Sequence, residues 1–328
     1  MTQHTRPDES ILDTIGDTPL VKLDASTDEI DVYAKLETFN PGGSVKDRIG
    51  AYILEGLLDR GDVPPGGTIV EPTAGNTGIG MAIAAKQHDI HTVFVVPTGF
   101  SEEKETLMSA LGGEIVHTPG EDGMGGAIDR AHIIAAERDD AVVPQQFKTE
   151  LNVEAHYHTT GREILDTVGD TVGAIVVGIG SGGTLMGITR AVRERVPDVH
   201  VVAVEPEGST FGDLCGLDRE EAPYKTEGIG THDPSVTSVF DPELVDDVVD
   251  VSDRAAHAEV QRLAAQEGHL VGSSSGAASV AAAQVANEIE TGDRDAPDGD
   301  VVTVFPDGSE RYLSKGLYGS FDDWERKE

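Results

Sequence analysis

Apolar strand-like runs and helical stretches take turns along this chain, and that alternation limits the folds open to it. "VYAKLE" (32–37) leads through a glycine loop into "KDRIGAYILEGLLDRG", and "TIVEPTA" (68–74) through a polar loop into "GIGMAIAAKQH". "HTVFVVP" (91–97) precedes "SEEKETLMSALGG", and "EIVHT" (114–118) precedes "AIDRAHIIAAERD". "AVVPQQF", "AIVVG", "HVVAVEP" (200–206), "DDVVDVS" and "VVTVFPDG" (301–308) continue the series. Apolar strands separated by helices belong to parallel sheets covered on both faces. The chain is therefore expected to be α/β, with open, mostly parallel sheets flanked by helices. Two glycine-bearing strand–loop–helix units, near residues 75 and 180, are far enough apart for two domains. Ligands in such sheets bind beyond the carboxyl ends of strands. Loops 40–46, 73–78, 178–184, 206–212 and 306–311 therefore hold the candidate site residues.

The acid–base balance restricts what those loops can hold, and how. The 328 residues carry 60 acids against 24 Lys and Arg, a net charge of −36. The acids are spread along the whole chain among apolar positions, which is the pattern of an acidic globular surface and not of a disordered tail. Such a surface suits a salt-rich cytoplasm, where the Debye length falls to about 3 Å and self-repulsion is screened. It argues against nucleic-acid binding, which needs Lys and Arg facing phosphates. Any anionic ligand must be held by local dipoles, meaning backbone N–H groups and helix N-termini. The polar opening "MTQHTRPDESILDTIGDTP" has no apolar core of a secretory leader, and no apolar run approaches the ~20 residues of a membrane span. A single cysteine, Cys215, excludes an internal disulfide framework and reads as a small buried side chain.

Four segments carry candidate chemistry. In "NPGGSVKDR", Lys46 opens a helix after a Pro-Gly-Gly turn, in a chain with nine lysines. A cation is unfavourable at the positive end of a helix, which lowers its hold on a proton and favours a Schiff base. A plain surface lysine is the alternative. In "EPTAGNTGIG", threonine hydroxyls, the Asn76 amide and backbone N–H groups gather where a helix opens at about Thr77, as a carboxylate site requires. An ordinary cap by Asn76 or Thr77 is the alternative there. In "AIVVGIGSGGTLMGI", Gly178, Gly180 and Gly183 fit the dinucleotide pattern G-x-G-x-x-G, with Glu205 placed for a ribose. A monophosphate is the other ligand such a loop suits. In "GHLVGSSSGAA", three serines open an alanine-rich helix, either as a cap or as a hydroxyl partner for a ring nitrogen or an anion.

Two other chemistries fit poorly. Gly272 to Gly276 matches the G-x-S-x-G elbow of serine hydrolases, but that fold needs a later histidine and the last one is His269. His156 and His158 in "AHYH" are two apart, so a helix puts them on different faces, and no paired-cysteine or HExxH spacing is present. Within "SEEKETLMSALGG", Ser101 is expected to cap its helix without a capping box, since Lys104 stands where an acid belongs, and Gly112 to end it.

Taken together and in order, "NPGGSVKDR", "EPTAGNTGIG", "GIGSGGTLMG" and "GSSSGAA" resemble the pyridoxal-phosphate β-family, fold type II, in particular cysteine synthase and the catalytic core of cystathionine β-synthase. "QQF", "TTGREI", "EGIG" (227–230) and "FPDGSERYLSK" are similar to further family segments, so the resemblance runs from about residue 11 to 318. It implies a tryptophan-synthase-β-like fold. Its N-terminal α/β domain would be 41–150, with a mobile substrate-side segment near 97–140. Its larger C-terminal domain would be 11–40 plus 151–320 and carry the phosphate loop. The cofactor implied is pyridoxal 5'-phosphate and the assembly implied is a homodimer; the lack of metal-ligand spacing points to no metal, and the single cysteine fits a reducing cytoplasm.

By position, Lys46 resembles the lysine that holds the cofactor and then moves the Cα proton. Asn76 matches the residue bonded to the ring oxygen, and Ser274 the hydroxyl facing the pyridine nitrogen. Gly180, Ser181, Gly182, Gly183 and Thr184 match the phosphate cradle. Thr73, Ala74, Asn76, Thr77 and Gln146 match the substrate-carboxylate site, with Ala74 standing where the family often has Ser. Gly228 belongs to a loop lining the cofactor's face.

The reaction implied is β-replacement on O-acetylserine or a related activated serine, with sulfide giving cysteine. Cystathionine β-synthase, using homocysteine, is the alternative, and "SEEKETLMSALGGEIVHTP" and "VEPEGS" lean towards it. A dehydratase of this fold, a silent binding protein and an NAD-dependent oxidoreductase are more distant readings. The last two have no use for Lys46.

Overall fold

The protein is described by a computed structural model over residues 8–73 and 75–326. In chain order the strands are β1 (Leu20–Lys22), β2 (Val32–Leu36), β3 (Thr68–Pro72), β4 (His91–Pro97), β5 (Glu114–Thr118), β6 (Ala141–Val142), β7 (Val172–Gly178), β8 (His200–Pro206), β9 (Asp247–Val251) and β10 (Asp300–Phe305). The helices are α1 (Lys46–Arg60), α2 (Asn76–Gln87), α3 (Glu102–Ala110), α4 (Gly123–Ala136), α5 (Leu151–His158), α6 (Thr160–Val168), α7 (Gly183–Arg193), α8 (Asp253–Arg262), α9 (Ser273–Thr291) and α10 (Phe321–Arg326). None is long and apolar enough to cross a membrane.

The chain forms two compact units. The smaller joins the segment ending at Thr18 to Phe39–Gln145, around a parallel sheet of order β5-β4-β3-β6. Its strands alternate: Val70, Val93 and Val95 pack with Ala127, Ala131 and Ile134 of α4 on one face. Ile69, Phe94 and Val96 point the other way and are also buried. The larger unit, Pro19–Thr38 with the chain from Gln146 on, has the order β1-β2-β10-β7-β8-β9. All its neighbours are parallel except the β1–β2 edge pair. Along β7, Ala174 and Val176 pack towards Ala277, Ala281 and Val285 of α9. Ile175 and Val177 pack towards Leu185, Ile188 and Val192 of α7. Both faces of the sheet are thus covered, as the unbroken apolar runs require.

Several details differ from the sequence reading. "AVVPQQF" holds only the two-residue β6, because Pro144 brings no N–H and Gln145 turns the chain with φ 57°. The antiparallel β1 falls in a three-residue stretch too short to show a period. Residues 11–18, assigned from the sequence to the larger domain, cluster with the smaller unit. There the Gly16 N–H donates to Asn40 Oδ1 (2.9 Å) and Arg48 donates to Thr18 Oγ1 (3.1 Å). Residues 146–150, assigned from the sequence to the smaller domain, cluster with the larger unit, and residues 39–40, assigned to the larger, cluster with the smaller. Ser101 does cap α3, accepting from the Lys104 N–H, and Gly112 follows the helix end with φ 92°.

In the smaller unit α1 and α2 touch backbone to backbone. A Cβ on Gly50 would lie 2.4 Å from the Gly80 carbonyl carbon, and one on Gly80 would lie 2.4 Å from the Lys46 carbonyl oxygen. Neither neighbour can swing aside, since both are backbone. The start of α1 is therefore fixed against the second turn of α2. Gly80→Ala is expected to cost about 1–3 kcal/mol in denaturant unfolding by overpacking. Gly125→Ala, in α4 with nothing within 4 Å of the new Cβ, should be neutral or stabilising. Equal effects from the two substitutions would contradict this account of the α1–α2 contact.

Candidate active site

Lys46 is the first residue of α1 and is partly buried. The loop before it is fixed by its own polar groups. Gly42 N–H donates to Asp47 Oδ2 (2.5 Å), Asn40 Nδ2 donates to the Ser44 carbonyl (3.1 Å), and Lys46 N–H donates to Ser44 Oγ (3.2 Å). Asp47, fully buried, turns back over Gly42, so the loop closes on its own helix. The lysine thus stands on a rigid base and not on a flexible loop.

The β3–α2 loop lies in the same unit. Thr73 is buried, and its Oγ1 accepts from the Gly75 N–H (3.2 Å). The N-cap of α2 is Gly75, with no side-chain cap hydrogen bond, and α2 opens at Asn76, one residue before the position expected. Asn76 and Thr77 are therefore the first helical residues and not caps, so capping does not account for their side chains. Ala74 lies outside the described residues.

The phosphate-type loop in the larger unit runs from β7 into α7. Its N-cap is Gly182, at φ 90°, and α7 begins at Gly183. Three other segments close on this loop. A Cβ on Gly180 would meet the Gly228 carbonyl oxygen at 2.4 Å, and Gly230 N–H donates to the Ile179 carbonyl (2.7 Å). Thr237 Oγ1 donates to the Ser181 carbonyl (2.6 Å). The Gln146 carbonyl accepts from Asn152 Nδ2 (2.8 Å), and the same nitrogen reaches Ser181 Oγ (3.0 Å). The 227–230 loop also meets α9, since Glu227 N–H donates to Ser273 Oγ (3.1 Å). Gly180–Thr184, Gln146, Gly228 and the start of α9 are thereby brought together in one unit.

Ser274, the second residue of α9, is buried. The N-cap is Gly272, again without a side-chain cap bond, so the serines do not serve as the cap. Gly272 is held by the C-terminal segment. Its N–H donates to the Asp307 carbonyl (3.2 Å), and a Cβ there would meet Asp307 Oδ1 at 2.3 Å. Tyr312 donates to Asp307 Oδ2. Burial, reinforced by Asp307, holds the Tyr312 hydroxyl well above its usual pKa, so it stays a donor. Lys315 pairs with Glu227 (2.6 Å). Tyr224, whose hydroxyl sits by Gly230, is pushed up to about 12, by burial first and then by Glu205 and Asp253. Cys215 is partly and not fully buried, and that burial, with Glu205, pushes its thiol up.

The distribution of charge also bears on these helix ends. Acids collect in the first turn of a helix because the dipole favours them there. Asp47, the Glu102–Glu103–Glu105 group, Glu154, Glu163 and Asp253 follow that rule in α1, α3, α5, α6 and α8. In a chain with 60 acids, α2, α4, α7 and α9 open with none. The α2, α7 and α9 starts thus carry no like charge against an anion.

A family model described as pyridoxal-phosphate dependent enzyme matches residues 11–307. The chain belongs to that family. It is 42% identical over 310 residues to the O-acetylserine dependent cystathionine beta-synthase of Bacillus subtilis (strain 168), covering 94% of this chain and 97% of the relative. It is 41% identical over 310 residues to a cysteine synthase of Helicobacter pylori (strain ATCC 700392 / 26695), covering 93% and 97%. A crystal structure of an O-acetylserine dependent cystathionine beta-synthase from Helicobacter pylori superposes with a TM-score of 0.85 at 41% identity, over 95% of this chain and 99% of that one. The cofactor is therefore pyridoxal phosphate, and the fold is that of the type II enzymes.

The residues present fit that cofactor. A phosphate monoester needs donors and no nearby carboxylate. The α7 end offers backbone N–H groups with the Ser181 and Thr184 hydroxyls, and no acid in its first turn. Lys46, at the start of α1, has the primary amine that an aldehyde would need. The sequence reading passed over Asn152 and weighed His156 only as a metal ligand. Both are buried on α5, one turn apart, and both bond to loop hydroxyls. Their sequence signal is faint, a polar residue repeated at i and i+4 on an otherwise apolar helix face.

Proposed function

We propose that this enzyme replaces the β-substituent of O-acetylserine with a sulfur nucleophile, sulfide giving cysteine. The observation that carries the reading is Lys46, held rigidly as the first residue of α1 within a chain related end to end to proteins named for this chemistry. A second reading, homocysteine as nucleophile with cystathionine as product, is favoured by the segments 101–119 and 204–209 and by the name of the Bacillus relative.

Bound pyridoxal phosphate supplies an electron sink for the substrate's Cα. In this proposal Lys46 would hold the cofactor and would also be the group that takes the proton from the substrate's Cα and returns one. Thr73, Asn76, Thr77 and Gln146 bind the substrate carboxylate. Ala74 offers only its backbone N–H, in place of the hydroxyl a serine would bring. Asn76 would also hold the ring oxygen, and Gly228 would line the ring's face. Gly180, Ser181, Gly182, Gly183 and Thr184 hold the phosphate. The Ser274 hydroxyl would be the partner of the pyridine nitrogen, and being neutral it would not hold that nitrogen protonated, which would favour β-elimination chemistry over transamination. We further propose a cytoplasmic homodimer adapted to high salt. The resemblance supports the homodimer, and the net charge of −36 supports the salt adaptation.

The experiment is to add O-acetylserine to the yellow protein in high salt, then sulfide or homocysteine in separate cuvettes. The cofactor band should change with O-acetylserine and be restored by one nucleophile faster than by the other, with cysteine or cystathionine formed. Lys46→Ala should lose the turnover. A colourless protein, unchanged by added pyridoxal phosphate, would overturn the assignment. Residues 97–140 are proposed to close over substrate. Leu107 and Ile133 there are 41% and 49% exposed, so parts of the segment have few apolar anchors. Amide exchange across it should slow when an amino-acid substrate analogue binds, and identical protection with and without the analogue would refute the closure.

A further inference from the structure

Helix α5 lies under the phosphate loop and presents two buried side chains to it. Asn152 and His156 are one helical turn apart, and each is fully buried. Asn152 Nδ2 reaches Ser181 Oγ (3.0 Å), and His156 Nε2 lies 3.1 Å from Thr184 Oγ1. The approach is close all along. A Cβ on Gly183 would meet Asn152 Oδ1 at 2.1 Å, and one on Gly187 would meet His156 Cβ at 2.5 Å. Helix and loop are in direct contact at these points.

Donor counting fixes the direction of the first bond. The Gln146 carbonyl can only accept, so the Asn152 atom 2.8 Å from it must be the amide nitrogen. That nitrogen's second hydrogen goes to Ser181 Oγ. Ser181 therefore accepts from Asn152, and its own hydrogen is left to point elsewhere. The second bond has two possible polarities. His156 Nδ1 lies 2.9 Å from Thr160 Oγ1, so the imidazole joins two threonine hydroxyls. If Nε2 accepts, Thr184 gives its hydrogen to the ring and turns lone pairs towards the loop, where a phosphate would be repelled. If Nε2 donates, Thr184 accepts from the ring and its hydrogen is available to the phosphate. Thr160 then donates to Nδ1.

We propose that Asn152 and His156 are positioning residues that set the Ser181 and Thr184 hydroxyls as donors to the cofactor phosphate, with His156 held as the Nε2–H tautomer. This rests on the phosphate assignment of the preceding section. It supplies what the global charge withholds: donors aimed at an anion without a cationic side chain.

The test compares pyridoxal phosphate with pyridoxal, which lacks the phosphate, as ligands of the cofactor-stripped full chain. His156→Leu should lower affinity for pyridoxal phosphate about tenfold while changing that for pyridoxal by less than about twofold. His156→Gln, which keeps a donor, should restore most of the difference. Equal loss for both ligands, or no loss for either, would overturn the proposal and leave the enzyme's chemistry standing. An unaltered protein that binds neither ligand would overturn both. Should His156→Leu not fold, nitrogen NMR of the histidine-labelled, unaltered holoprotein decides the matter, with His156→Gln assigning the signal. A protonated Nε2 with a bare Nδ1 is expected, and the reverse refutes it.

Discussion

Binding an anion to a surface of net charge −36 is the constraint on which the other features depend. At physiological salt the Debye length is about 8 Å, and at molar salt about 3 Å, so distant acids count for little and the first few ångströms decide. A helix end alone contributes about 0.3–2 kcal/mol, too little to retain a cofactor. Hydrogen bonds to an ionised group contribute about 1.5–3 kcal/mol each, so several converging donors are needed. The α2, α7 and α9 ends are the ones left without an acid in this account's ligand loops, and hydroxyls and amides cluster there. The chain removes acids where an anion must sit instead of adding bases.

Close backbone contact makes that clustering possible. Gly50 and Gly80 let α1 and α2 touch, which fixes where Lys46 starts its helix. Gly183 and Gly187 let α7 press on α5, which brings Asn152 and His156 within hydrogen-bond reach of the loop. Gly272 lets the Asp307–Tyr312 pair brace the start of α9. These glycines are needed for space at crossings as much as for turns, and a methyl group at any of them meets an atom within 2.6 Å. Site geometry and packing are therefore one problem in this molecule, and substitutions at the crossings act on both.

The strand–helix alternation and the glycine loops were legible because they are local patterns, periodic over a few residues. The fate of "PLVKLD" was not, because β1 exists only through pairing with β2 at an edge. Residues 11–18 were misplaced for the same reason: two hydrogen bonds to Asn40 and Arg48, not any pattern, tie them to the smaller unit. From spacing, the β3–α2 and α9 loops admit both a cap and a ligand site. The glycine N-caps at 75 and 272 remove the cap reading, and a cap is a matter of dihedral angles that spacing does not reveal. His156 and His158 do fall on different sides of α5, one buried and one exposed. What the sequence withheld was the partner, since Thr184 lies 28 residues further on.

Lys46, as the residue proposed to carry the cofactor, is the group on which the proposed chemistry depends. Borohydride reduction of the yellow protein, followed by proteolysis and mass spectrometry, tests that directly, because reduction makes the lysine–cofactor bond permanent. The expected result is a single modified peptide, containing "GGSVKDR" and carrying the cofactor mass on Lys46. A cofactor mass on any other of the nine lysines, with Lys46 unmodified, would contradict the account.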